Sequence, residues 1–207
     1  MSPQTFTAVL IFATAMAFTP GPNNVMLAAS GSRFGVRRTF PHLAGVTLGF
    51  PVMLFLVGAG LASVLLASAK LQLGMKMVSC AYLLWLAFQI GRSSSAGGAV
   101  ERGQPMSFLQ AAAFQWVNPK AWLMAVGAIS AYTSGAGNQL YLQVAIITLI
   151  TLVVTLASTL TWTAFGAAIR RFLQTPAALR LFNLAMALLL LVSTVPILME
   201  VWHELKA

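Results

Sequence analysis

Two short stretches interrupt an otherwise apolar chain with residues able to hold a ligand. The first is Thr19-Pro20-Gly21-Pro22-Asn23-Asn24, and the second is Asn118-Pro119-Lys120. A proline inside a helix removes an N–H and clashes with the preceding turn, so each stretch should split a helix in two. The half-helix after a break begins with exposed N–H groups and a positive dipole end, which favour an anionic group. The half-helix before it ends in free carbonyls, which suit an ammonium. A zwitterionic amino acid needs both. Pro20, Gly21, Pro22, Asn23, Asn24, Asn118, Pro119 and Lys120 are therefore candidate substrate-binding residues.

Lys120 stands out as a charged residue deep within an apolar run. A lysine at the centre of a membrane helix costs about 2.5–3.5 kcal/mol on insertion scales. It should face the interior, where it can meet a carboxylate; the alternative is that it snorkels to an interface. The three asparagines can bind ligand or simply cap freed backbone groups. Trp116 and Trp122 flank the second break, and either can stack on a substrate cation, pack internally or face lipid. Thr148, Thr151, Thr155, Ser158 and Thr159 share one helix face by their spacing. Such hydroxyls line a path or bond between helices. Gly45 and Gly49 form a GxxxG pair, suited to close helix approach.

Other chemistry is scarce. The chain has no Asp and three Glu: Glu101 in a polar segment, and Glu200 and Glu204 near the C-terminus. The usual intramembrane carboxylate for proton transfer is missing. His42 is the histidine nearest the core; it is a candidate for proton coupling, or a structural residue at headgroup level. The lone Cys80 rules out an internal disulfide and dithiol chemistry, and no Cys, His or Glu residues have ligand spacing. We read no catalytic residues, no metal site, no cofactor and no enzyme.

The elements that must position these residues are membrane spans. With 59% hydrophobic and 7% charged residues and a mean hydropathy of +0.86, the chain has too little charge to cover a soluble surface. Breakers and charges divide it into six spans, at about 5–32, 40–69, 74–91, 106–132, 138–169 and 177–200, with the first and fourth broken. The first lacks a basic n-region and is read as retained rather than cleaved. The net charge of +9 comes from short loops beside apolar spans, which argues against nucleic acid. Arg33, Arg37, Arg38, Arg92, Arg102, Arg170, Arg171 and Arg180 collect on one side, against Lys70, Lys76 and Lys206 on the other. The arginine side should be cytoplasmic, leaving both termini outside.

The halves resemble each other. TFTAVLIFATAMAFTPGPNNVMLAAS opens one and SFLQAAAFQWVNPKAWLMAVGAIS the other. Three spans per half require the second half to be inverted. Paired, interrupted spans at matching positions point to a transporter site near the bilayer midplane. The expected fold is an all-α membrane protein with one domain, residues 1–207. Its two inverted three-helix repeats span about 1–92 and 106–207, joined by a cytoplasmic Gly/Ser-rich loop at about 92–105.

TPGPNN, GSRFGVRRTFPHLAGVTLGF, AYLLWLAF and FQWVNPKAW occur in the order found in the LysE/RhtB family of amino-acid exporters, which the chain resembles over nearly its whole length. The form TPGPNN…HLAGVTLGF is similar to the branch credited with neutral amino acids, including cysteine and O-acetylserine, and homoserine-type compounds. The resemblance implies a bacterial inner-membrane exporter driven by the proton motive force, working as a homodimer. It assigns the family motif to Pro20, Gly21, Pro22, Asn23, Asn24, Asn118, Pro119 and Lys120. The missing intramembrane acid argues against a lysine or arginine substrate. Two rival readings are a metal or cation exporter of related topology, which the dearth of ligands disfavours, and a non-transporting membrane scaffold.

Overall fold

The computed structural model describes residues 1–61, 68–92, 104–134, 137–173 and 175–206, which are helical with short connections and contain no strand. The α-helices in order are α1 (Pro3–Phe18), α2 (Pro22–Leu56), α3 (Ala69–Arg92), α4 (Phe108–Phe114), α5 (Pro119–Tyr132), α6 (Asn138–Ile169) and α7 (Pro176–Lys206). A π-helical turn, Val57–Leu61, continues α2, and a 3-10 turn, Gln115–Val117, joins α4 to the second break. The end of the expected second span (62–67), most of the expected linker with Glu101 and Arg102, and residues 135–136 of the TSGAGNQ turn lie outside the described residues.

Among the described residues, four helical stretches are long and apolar enough to cross a membrane: Pro22–Leu61, Gln72–Arg92, Asn138–Ile169 and Pro176–Glu204. α1 is shorter; its sixteen residues reach only about 24 Å, less than the hydrocarbon thickness. Both helix interruptions fall where proline predicts them, between Phe18 and Pro22 and between Val117 and Pro119.

A loop was expected at 33–39, and the chain instead reverses at one residue. Gly35 has φ 76° and ψ 170°, a conformation that glycine adopts without steric cost. Ser30 and His42 lie either side of it, twelve residues apart, and would be separated by about 18 Å on a straight helix. Their side chains are hydrogen bonded at 3.1 Å, so α2 is a hairpin of two arms, residues 22–34 and 36–56.

Small residues let these arms press on their neighbours. Gly31 abuts the Thr163 carbonyl of α6, and Gly166 of α6 abuts the Ala28 carbonyl of the first arm. A Cβ at Gly49 would lie 2.7 Å from Ala112 Cα of α4, which gives the Gly45/Gly49 pair its use. The face of α6 bearing Val144, Ile147, Thr151, Val154 and Ser158 is buried, whereas Leu142, Leu149, Val153 and Leu160 are exposed. The helix is apolar all round because one side meets protein and the other lipid.

α3 and α7 pair on the other flank. Cys80, Leu83 and Ala87 pack with Phe182, Met186 and Leu190 in a core that also takes Val25 and Met26 from α2. Lys76 Nζ binds Glu200 Oε2 at 2.9 Å and Glu204 Oε1 at 2.6 Å, tying the start of α3 to the end of α7.

Gly166→Val should drive α6 off the first arm of α2 and lower the melting temperature in detergent by about 4–10 °C, as overpacking a tight contact does. Gly74→Ala, where an added Cβ meets nothing within 4 Å, should melt like the parent. Equal melting of both variants would mean that close approach is not what holds these helices.

Candidate functional site

The two breaks meet. Lys120, in the first turn of α5, sends its ammonium across to the end of α1. Nζ donates to the Thr19 carbonyl at 2.8 Å, the Thr19 hydroxyl at 2.7 Å and the Pro20 carbonyl at 3.4 Å. The Lys120 ammonium thus sits on helix carbonyls, the negative end of the α1 dipole, where a cation is favoured.

Two further elements donate to carbonyls at this end of α1. Asn24 Nδ2 donates to Ala17 O at 2.7 Å and Thr19 O at 2.9 Å. Ser158 Oγ of α6 donates to Ala17 O at 2.7 Å. Gly21 leaves room for the lysine stem: a Cβ there would lie 2.7 Å from Lys120 Cδ.

The starts of the two later half-helices differ. Asn118 caps α5, its Oδ1 accepting from Lys120 N at 3.1 Å, and Pro119 occupies the first helical position, where its missing N–H does no harm. At α2, Gly21 is the N-cap residue and brings no side-chain hydrogen bond, with Pro22 at the first position. Pro20 contributes only its carbonyl. Asn23 is clasped by Gln115: Nδ2 donates to Gln115 Oε1 at 2.8 Å, and Gln115 Nε2 donates back to Asn23 Oδ1 at 3.1 Å. Gln115 is fully buried and also donates to Ala111 O.

A small pocket of about 40 Å³ lies between the breaks, lined by Gly21, Asn23, Asn24, Asn118, Lys120 and three hydroxyls of α6, Thr155, Ser158 and Thr159. Its volume suits a water molecule rather than an amino acid. Beside it is a cavity of about 1060 Å³ whose wall includes Met26, Phe114 and Val117. Val117 lines the large cavity and its chain neighbour Asn118 the small pocket. Arg33, Arg38 and Arg170, three of the arginines expected on one side, line the large cavity together. Neither space is lined by a described carboxylate.

His42 is elsewhere. It is 1% exposed, shares its Nδ1 with Ser30, has no partner at Nε2, and lines the large cavity rather than the pocket between the breaks. Trp116 does not line that pocket either; its carbonyl accepts from Trp122 Nε1 at 2.9 Å, and the rings meet edge to face. Thr148 and Thr151 bond to carbonyls of their own helix. Gln115 and Thr19 were not singled out from sequence as ligand-site residues. The signal for Gln115 was a polar side chain in an apolar run, just before the second break.

Long apolar helices around a polar site made from two interrupted helices define a multi-pass membrane transporter. Residues 14–200 match the LysE type translocator family, and the chain belongs to that family of amino-acid exporters of the bacterial inner membrane, which are transporters rather than enzymes. Its relatives include proteins named cysteine/O-acetylserine efflux protein. That of Klebsiella pneumoniae subsp. pneumoniae is 33% identical over 132 residues, covering 64% of this chain and 67% of the relative. That of Escherichia coli O139:H28 is 30% identical over 198 residues, covering 95% of this chain and 99% of the relative. No solved structure matches the chain.

The unequal spaces give a test of access. In a Cys80→Ala background, Ala29→Cys in the large cavity should react with a water-soluble thiol reagent at least about tenfold faster than Ala121→Cys in the small pocket. Equal rates would mean that water reaches both sides of the breaks alike.

Proposed function

We propose that the protein exports small neutral amino acids or their derivatives, cysteine and O-acetylserine among them, by alternating access around the two breaks. The observation that carries this reading is the meeting of the breaks, with carbonyl ends, helix starts and amide side chains around one pocket. The substrate carboxylate would lie at the starts of α2 and α5, near Gly21, Asn23 and Asn118. Its ammonium would lie on the α1 carbonyls where Lys120 now rests. A net-neutral zwitterion suits a pocket lined by no carboxylate, and a lysine or arginine substrate would bring an uncompensated charge.

At about 40 Å³ the pocket must widen to admit such a solute, and the Asn23–Gln115 clasp is the contact that has to open toward the large cavity. We assign that cavity to the cytoplasmic side, because arginines line it. In this reading both termini lie outside, and α1 with the first arm of α2, and α4 with α5, act as the broken first and fourth spans of two inverted three-helix repeats. His42, buried beside the cytoplasmic cavity, would be reached from that side alone.

Uptake into inverted membrane vesicles tests the reading. O-acetylserine and cysteine should accumulate when a proton gradient is imposed, and lysine should not. Lys120→Ala and Asn118→Ala, inserted at parental levels, should reduce uptake at least about tenfold, since each removes polar contacts worth about 1–3 kcal/mol at the breaks. Parental transport by both variants would show that the breaks are not the binding site.

A further inference from the structure

We propose that Lys120 is the proton-carrying group of the transporter, and that its ammonium and the substrate's ammonium take turns on one seat of carbonyls. This deepens the reading above and rests on it. The seat is the end of α1, where Thr19 O, Thr19 Oγ1 and Pro20 O surround Lys120 Nζ. It is built for one cation. The Lys120 stem runs so close to Gly21 that a Cβ there would lie 3.0 Å from Nζ, and the adjoining pocket holds only about 40 Å³.

Lys120 depends on that seat for its charge. It belongs to the first turn of α5, the positive end of that helix, where a cation is disfavoured. The faces of α1, α2 and α6 turned toward it present Thr19, Asn23, Asn24, Thr155, Ser158 and Thr159. None of these titrates, and none carries a charge. His42 faces the other cavity, as do Arg33, Arg38 and Arg170.

A zwitterion placing its ammonium on the seat adds no net charge to the pocket. With the substrate carboxylate engaged by the helix starts, Lys120 would then be an ammonium that has lost its three acceptors on α1 and lies against a second ammonium, which is costly. The step is an acid–base exchange: an Nζ–H bond breaks, its electron pair stays on nitrogen, and the proton passes to water. The reverse step completes the cycle. A proton arriving from outside restores the ammonium, which reclaims the carbonyls and expels the substrate. Proton entry and substrate exit are thereby coupled without a carboxylate.

Proton release on binding is the deciding measurement. Purified protein in weakly buffered detergent at neutral pH should release about one proton per O-acetylserine bound, and apparent affinity should rise as pH is raised toward neutral, by up to about tenfold per pH unit. Lys120→Arg keeps a permanent charge and should release none. Should that variant fail to insert, the parent protein's proton count decides alone. Binding without proton release overturns the proposal and leaves the substrate reading intact. Release that survives in Lys120→Arg but disappears in His42→Gln moves the role to His42 and also overturns it. No binding of O-acetylserine or cysteine would remove both readings together.

Discussion

A helix interrupted inside a bilayer frees carbonyls that lipid cannot satisfy, and the protein or water held in it must supply the donors. At the end of α1 the donors come from three other elements: Asn24 of α2, Lys120 of α5 and Ser158 of α6. That requirement fixes much of the architecture. α5 must begin beside the α1 terminus, α6 must cross it, and the second break must stand against the first. The glycine contacts between α2 and α6 and between α2 and α4 follow, because the donors reach their carbonyls only if the backbones come close. The same polar groups are the ones a zwitterion can use, so stabilising the break and building a ligand site are one problem.

The hairpin of α2 adds a mechanical element. Its first arm begins at the break, packs on α6 through Gly31 and on the α3–α7 core through Val25 and Met26, and turns back at Gly35 without an intervening loop. Two arms joined at one residue with φ 76° lie side by side, held by the Ser30–His42 contact and by the close approach of Gly31 to α6. The Asn23–Gln115 clasp lies at the break end of this arm, and the Ser30–His42 contact at the turn end.

The breaks were legible in sequence because proline acts locally, and α6 was bounded at Asn138 and Ile169 because charge and glycine flank it. The partners of the break residues were less legible. Gln115 and Asn23 are ninety-two residues apart, and nothing local to either announces the other. The hydroxyl face of α6 was ambiguous for a physical reason. Lipid accepts apolar residues as readily as a core does, so hydrophobic periodicity no longer tells inside from outside. Thr155, Ser158 and Thr159 line the pocket and Thr148 and Thr151 do not, although Thr148, Thr151 and Thr159 all bond to carbonyls of their own helix. The tight turn at Gly35 was hidden inside a segment rich in arginine, which reads as loop by charge alone.

Cys80, the chain's single thiol, is 5% exposed, sits in the α3–α7 core and lines neither cavity. A conduit for thiol-bearing cargo faces a hazard that other conduits do not, since an accessible cysteine in its wall can exchange into a mixed disulfide and hold the cargo covalently. Here the described polar groups lining the two spaces include hydroxyls, amides, guanidiniums, one imidazole and one amine, all inert to that exchange. Among the described residues neither space is lined by a thiol, so the proposed thiol cargo would meet no partner for disulfide exchange there.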